Sequence, residues 1–535
     1  LTDPAEAGGR VRAEVRLGRR RVQLQASQAV AGDLVLRLAG ERLHIRGELA
    51  PFGRPTRWSV SRHLAGRLTV EQWSDAGAAD RFSAMANALR RRLADGASGL
   101  GARRASLFAG LVVGDDRSQP VDLTDDFRGA GLTHLLAVSG QNVAFVLALG
   151  RPLATRLRLW PRLGVTVAAI AGFALLTRFE PSVNRAAVMA VLSATTMAIG
   201  RPVSRLRIVA LGVAGLVLVD PLLVWSLGFR LSVAASLAIV TAASPLARVL
   251  PGPRWLADPL AVTAAAQLGV APFLLSAFGP LPLASVPANL LAVPAAGAVM
   301  MWGMTAGVVA GWAPAPVAEL LHQPTGGLLW WIEGVAERSA RAPLGTLGPA
   351  GVAAVAGGLA ALIVAARTRR PGLRRLALVV VSAVVYLSVV AAHAAPALRE
   401  RLAPGVVRWH RGSTDVVVLG GGSWRDRLDA ETVLGDLRGA GVRDIELLVA
   451  VDPSVDAALI DAVRDRHPTG RILVPLDPDL RRHLPTAVPI PSSGGSVTVG
   501  ALIVTITPGA ERLVVEATPR PRLRLSTDRG RGATR

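Results

Sequence analysis

THLLAVSGQNV, residues 133–143, places a His, a Ser, a Gly and a Gln-Asn pair at the head of an apolar run. That run is the first of a series. Others follow near 163–178, 184–200, 206–224, 229–246, 259–278, 284–311, 318–336, 349–366 and 376–394, the first reaching from 134 to 150. Most approach the roughly 20 residues that a bilayer requires, so about ten spans are expected. The run at 318–336 is the weakest, because it carries Glu319, His322 and Glu333. Ala and Gly crowd the series, which suits close helix packing in lipid. Trp160, Trp225, Trp255, Trp312, Trp330 and Trp331 stand near run ends, as an interfacial belt requires.

Composition agrees. Of 535 residues 51% are hydrophobic and the mean hydropathy is +0.41, too apolar for an ordinary soluble enzyme. The net charge is +22, and every one of the 60 basic residues is Arg. Codon bias in a G+C-rich genome accounts for Arg over Lys. The physics stands regardless, since a basic membrane protein attracts phosphates of lipid or nucleic acid. Without Lys there is no Gly-x-x-x-x-Gly-Lys-Ser/Thr nucleotide loop, so any energy the protein uses comes from a partner ATPase or the membrane gradient. Without Cys there are no disulfides, thiolate metal sites or Cys nucleophiles. The chain begins at Leu1 with no signal segment, and the expectation is a fragment lacking its true N-terminus.

Arg sets the orientation. After the first run, the odd-numbered loops hold Arg151, Arg156, Arg158 and Arg162, then Arg201, Arg205 and Arg207, then Arg248 and Arg254, and finally the cluster at 367–375. The even-numbered loops hold fewer: Arg178 and Arg185, Arg230, then Arg338 and Arg341. The positive-inside rule makes the odd loops cytoplasmic and both flanking segments external. The Arg count favours ten spans over nine.

The flanks have different textures. RVRAEVRL (10–17), RRVQLQAS (20–27) and DLVLRLAG (33–40) alternate as strands, with GDL and GEL as turn points, and predict a small barrel over 1–74. Residues 75–133 read as a helical linker. Within it DRFSAMANALRRRLADG (80–96) spaces Phe82, Met85, Leu89 and Leu93 as a basic amphipathic helix lying on a membrane, or else packed on the barrel. The apolar region takes 134–394. Residues 395–518 read as a small α/β domain and 519–535 as an Arg-rich disordered tail.

Four further stretches bear on the opening one. LFAGLVVGDDRSQPVDLTDDFRGAGL (107–132) precedes it, and PSVNRAAVMA (181–190), DPLLVWSLGFRLSVAA (220–235) and PANLLAVPAAG (287–297) follow. In this order they resemble the ComEC-type competence protein family. The resemblance implies a polytopic α-helical membrane protein with an N-terminal OB-like β-barrel and a C-terminal α/β metallo-β-lactamase-like domain. It implies a channel passing single-stranded DNA across the bacterial cytoplasmic membrane in natural transformation, with both soluble domains external. It implies as partners a DNA receptor outside, a helicase-type ATPase inside, the lipid bilayer and a possible homo-oligomer. A transporter or flippase of another polyanion, such as a lipid-linked or cell-wall precursor, remains the alternative.

The chain departs from the family in two places. Many relatives have His where Asn142 stands, and an amide does not titrate near neutral pH. The His-x-His-x-Asp-His metal cluster is also missing. Asp452 and Asp456 remain, Ala457 stands where a His is due, and His410, His467 and His483 are scattered. The expectation is a domain that keeps the fold without metal, cofactor or enzyme activity.

A wet path for phosphates needs polar and cationic groups within apolar runs. The candidates are His134, Ser139, Gly140, Gln141, Asn142, Asn184, Arg185, Arg230, Gln267 and Asn289. Each has a plainer reading: helix-to-helix hydrogen bonds for the neutral groups, close packing for Gly140, and snorkelling to headgroups for Arg185 and Arg230. On the barrel, Phe52, Trp58 and Trp73 are few for base stacking, so DNA binding there would rest on Arg.

Overall fold

The computed structural model describes residues 2–519 apart from 8–9, 53–55, 78–79, 137, 139, 201–202, 251, 343, 369–370, 395–397, 412–413, 421–427, 429, 441, 443, 452–454, 476–481, 491–492, 501 and 509–512. Ser139, Asp452 and nearly all of the expected tail lie outside the described residues. The chain forms two compact units, Leu1–Val389 and Val390–Arg535.

The first unit begins with a five-stranded sheet of β1 (Ala5–Ala7), β2 (Arg10–Leu17), β3 (Arg20–Ser27), β4 (Arg42–Pro51) and β5 (Leu64–Gly77). The order is β1-β2-β3-β5-β4, with β3 and β5 parallel and the other pairs antiparallel. Period-two alternation sends Leu64, Leu68 and Val70 inward and Arg67 and Thr69 outward. Two details differ from the sequence expectation. DLVLRLAG is not a strand: its first half lies in the 3-10 turn Gly32–Leu36, which buries Leu34 and leaves Leu36 72% exposed. The GEL at 47–49 is not a turn either, but lies within β4, just past an irregularity in its register with β5.

Helices follow. They are α1 (Arg81–Gly96), α2 (Ala102–Val113), α3 (Val121–Gly129), α4 (Gly140–Ala154), α5 (Leu159–Leu176), α6 (Pro181–Ala198) and α7 (Arg205–Val219). Next come α8 (Leu227–Val249), α9 (Arg254–Phe278), α10 (Ser285–Ala310), α11 (Ala315–Arg341), α12 (Pro349–Arg367) and α13 (Pro371–Ala394). Among the described residues four of them, α5, α8, α9 and α10, are long and apolar enough to cross a bilayer, so this is an integral membrane protein. α4 and α7 have only 15 residues each, and α7 stops where Asp220 accepts from Leu222 N ahead of the next turn. α11 is 27 residues long but amphipathic, with Ala318, His322, Thr325, Leu329 and Ile332 buried. Both α8 and α10 contain a π-helical turn, at Ile239–Ala243 and Gly303–Gly307. A short pair, β6 (Leu281–Pro282) with β7 (Thr346–Leu347), ties the α9–α10 loop to the α11–α12 loop.

α1 does not lie free on a membrane surface. Asp80 caps it, accepting from Phe82 N and Ser83 N. Its Ala86, Asn87, Arg90 and Leu93 are buried in the molecule, and Asn87 donates to Ala39 O at 3.1 Å. Gly96 and Gly311 bring α1 and the end of α10 into backbone contact, since a Cβ on Gly96 would stand 2.8 Å from Gly311 N. Its outer face stays open along the helix, from Phe82 and Met85 to Arg91, Arg92 and Asp95.

Arg90 explains why α1 is drawn in. Its guanidinium donates to Leu176 O at 3.0 Å and to Asp115 Oδ2 at 3.1 Å, with Asp3 at 3.5 Å. Arg117 grips Asp115 by two bonds of 2.8 and 2.7 Å and donates to Val35 O. Burial pushes the Arg90 guanidinium down to about 10. Burial also lifts the Asp115 carboxyl, but the hydrogen bond and charge of Arg117, with the charge of Arg90, hold it below 3.8. The sheet thus sits on the loops after α2 and α5. It also meets the loop after α7, where His63 Nε2 lies 3.0 Å from Asp220 Oδ2.

The second unit has a six-stranded sheet: β8 (Leu398–Ala403), β9 (Val406–Arg411), β10 (Thr414–Leu419), β11 (Ile445–Ala450), β12 (Thr469–Val474) and β13 (Val488–Pro489). The order runs β13 to β8, parallel from β10 to β13 and antiparallel from β8 to β10. One face buries Val417, Leu419 and Leu448 against α14 (Ala430–Gly439) and α15 (Ala457–Arg466). The other buries Val416, Val418, Leu447 and Val449 against an antiparallel sheet of β14 (Gly495–Val499), β15 (Leu502–Pro508) and β16 (Leu513–Pro519). Burial on both faces is why 416–419 of β10 and 447–450 of β11 read as apolar runs.

Candidate functional site

The opening stretch folds as a 3-10 turn, Thr133–Leu135, and then leads into α4 at Gly140. Its backbone carbonyls are satisfied from outside. Gln119 Nε2 donates to Leu136 O at 2.9 Å and Ser182 Oγ to Val138 O at 2.8 Å. Asn142, 8% exposed, donates in turn to Leu111 O at 2.9 Å. Gly140 lets α6 come close, since a Cβ there would stand 3.0 Å from that of Ala186. Gly131, at φ +70°, adopts a left-handed turn that a side chain would block against Ser285. Asn289 closes the other side, donating to Ser285 O at 2.8 Å and Gly131 O at 3.5 Å.

The stretches 107–143, 181–185 and 285–289 therefore meet in one place. Asn142 and Asn289 serve that junction as hydrogen-bonding groups, which matches their plainer reading. His134 and Gln141 are exposed at its edge, and Gln267 is half-buried in α9. Losing the Asn142 amide should leave Leu111 O short of a donor in a dry site. Asn142→Ala is expected to cost about 1–3 kcal/mol, read as a lowered unfolding midpoint of the detergent-solubilised protein. An unchanged midpoint would mean that the bond contributes nothing.

The cations sit beside this junction. Arg178 and Phe179 both have left-handed backbone, at φ +58° and +54°, a strained turn for bulky residues. Asn184 Nδ2 holds it by donating to Phe179 O at 2.6 Å. Pro181 then opens α6 and carries Arg185 inward, 6% exposed, with its guanidinium 5.8 Å from the centre of the Phe229 ring. Arg230 lies over Phe273 at 5.7 Å. Both aromatic partners were missed in the sequence. A Phe inside an apolar run carries no periodic signal of its partner.

Two other buried groups also escaped notice as a pair. His322, 2% exposed, meets Phe108 edge-on at 5.2 Å, and Thr325 is fully buried one turn further along α11. The usual acceptor for Thr325, Leu321 O, is taken by Trp302 Nε1 at 2.8 Å.

In the second unit, the described carboxylates and imidazoles near the expected metal positions have other partners. Asp456 caps α15 by accepting from Leu459 N at 2.7 Å. His410 Nδ1 is 3.0 Å from Asp415, which Arg408 also holds at 2.6 Å. Among the described residues no three His, Asp or Glu side chains converge as ligands. Burial raises the Asp415 carboxyl, but His410 and Arg408 bring it below its ordinary value, so this cluster reads as a structural ion pair.

Comparison with known proteins gives the segment a relationship. Residues 111–371 match the family model described as Competence protein. The chain is also similar to ComE operon protein 3 of Bacillus subtilis (strain 168), at 29% identity over 207 residues, covering 37% of this chain and 26% of the relative. The chain thus matches about a quarter of that relative's length. No solved structure matches.

Proposed function

We propose that this protein passes single-stranded DNA across the bacterial cytoplasmic membrane during natural transformation. The observation that carries the reading is the match of residues 111–371 to competence proteins, whose quoted stretches meet at the junction beside Arg185. Under this reading about ten spans cross the bilayer, the shorter helices α4 and α7 among them. The N-terminal segment and sheet touch the loops after α2, α5 and α7, at Arg117, Arg178 and Asp220, which the Arg pattern places outside. Strand order β1-β2-β3-β5-β4 supports an OB-like domain there. Helices on one face and a second sheet on the other support a metallo-β-lactamase-like fold for the second unit, acting without metal, cofactor or catalysis. The partners proposed are an external DNA receptor, an internal helicase-type ATPase and, as a possible assembly, further copies of the chain.

The test is uptake of fluorescent DNA by the native host with and without this gene, with surface binding and cytosolic signal scored separately. Deletion should leave binding intact and reduce the cytosolic signal to background. An unchanged cytosolic signal would refute the reading and favour transport of another polyanion.

A further inference from the structure

Arg185 and Arg230 belong to one continuous arrangement. Arg185 on α6 covers the ring of Phe229 on α8, and the next residue, Arg230, covers the ring of Phe273 on α9. Two arginine–phenylalanine contacts thereby run across three helices. Among the described residues, Nε and Nη1 of Arg185 and Nε of Arg230 are buried without an acceptor. Glu180 reaches neither of those Arg185 atoms. Asp115 and Asp3 are engaged by Arg90 and Arg117.

Buried charged donors without acceptors are costly, so a site that retains them awaits a ligand that supplies oxygens. A guanidinium with one face on a phenyl ring is fixed in plane, and its N–H edge is left for a bidentate anion. Phosphate suits that edge. Two such edges, one on α6 and one on α8, suit two phosphates of one backbone better than a single ion. The ring partners are Phe, which offers no group to read base edges.

We propose that Arg185 and Arg230 form a two-rung ladder that receives successive phosphates of a phosphodiester chain and ignores its bases. Phe229 and Phe273 are positioning residues that hold the guanidinium planes. This rests on the DNA-uptake reading and names what the site recognises.

The experiment uses the full chain in lipid nanodiscs and three oligomers of equal length: single-stranded DNA, an abasic phosphodiester chain, and uncharged methylphosphonate DNA. The first two should bind within about threefold of each other and the third not at all. Arg185→Ala with Arg230→Ala should weaken both anionic oligomers by about tenfold or more. Arg185→Lys should recover only part, because it keeps charge without the planar fork. Phe229→Leu with Phe273→Leu, which leaves every charge in place, should also weaken both anionic oligomers. That pair keeps the test sharp if the Arg variants fold poorly. If the abasic chain fails where DNA binds, bases are read, and the ladder falls while the uptake reading stands. If a folded Arg double variant binds as the wild type does, the phosphates go elsewhere and the ladder is overturned. If the wild type binds neither anionic oligomer, both readings fall.

Discussion

Arg90→Ala is expected to destabilise the first unit by about 3–5 kcal/mol, the usual cost of removing one partner from a buried ion pair. The Arg90 side chain is only 4% exposed and is bonded to Asp115 and to the backbone of residues 113 and 176. Removing it unpins α1 from α2 and α5 at once and leaves Asp115 to Arg117 alone. Thermal unfolding in detergent reads the loss, and faster hydrogen exchange of the β3 and β5 amides reads the freed sheet. A midpoint within a degree of the wild type would contradict the role given to the network. The same network sets an acid limit. Folding holds the Asp115 carboxyl below 3.8, so its stabilisation is complete above that value and drains away as pH falls through the lower, folded pKa. Loss of sheet docking already at pH 5 would show that another group controls it.

Gly110→Ala is expected to destabilise by about 1–3 kcal/mol, although helix propensity alone would favour Ala by about 1 kcal/mol. The sign reverses because a Cβ there would stand 2.5 Å from Leu136 O. That carbonyl belongs to the loop leading into α4 and is already bonded to Gln119. A backbone carbonyl has no rotamer to escape into, so the loop itself must shift. Gly172 in α5 is the control, since nothing lies within 4 Å of a Cβ there. Unfolding midpoints of the two variants should move apart, Gly110→Ala down and Gly172→Ala unchanged or up. Equal shifts would mean that the junction tolerates the extra carbon.

What the sequence disclosed follows from the range of the interactions involved. The runs at 163–178, 229–246, 259–278 and 284–311 coincide with α5, α8, α9 and α10, because length and apolarity are local properties. α1 showed its period but not its partner, since Arg90 finds acceptors at residues 113, 115 and 176. DLVLRLAG misled because two or three alternating residues fit a 3-10 turn as well as a strand. Among the site residues, Arg185 and Arg230 stood out as charges within apolar runs, while Phe229 and Phe273 were hidden by resembling everything around them. Asn142 and Asn289 were legible as unusual but not as junction pins, because Leu111 and Gly131 become neighbours only on folding.

The seat of the N-terminal sheet carries a consequence for the order of assembly. The last strand ends at Gly77, yet Asp220, which receives His63, is made about 140 residues later. At roughly 5–20 residues per second, synthesis leaves the finished sheet waiting on the order of ten to thirty seconds for its last contact. Arg117 and Arg178 arrive partway through that interval, so docking proceeds in stages, first the Asp115 and Asp3 network and then the latch at Asp220. During the wait the sheet must hold itself together on its own small core of Val11, Ala13, Leu24, Ala26, Leu34 and Val70. The membrane part is thus built underneath a lid that was finished first.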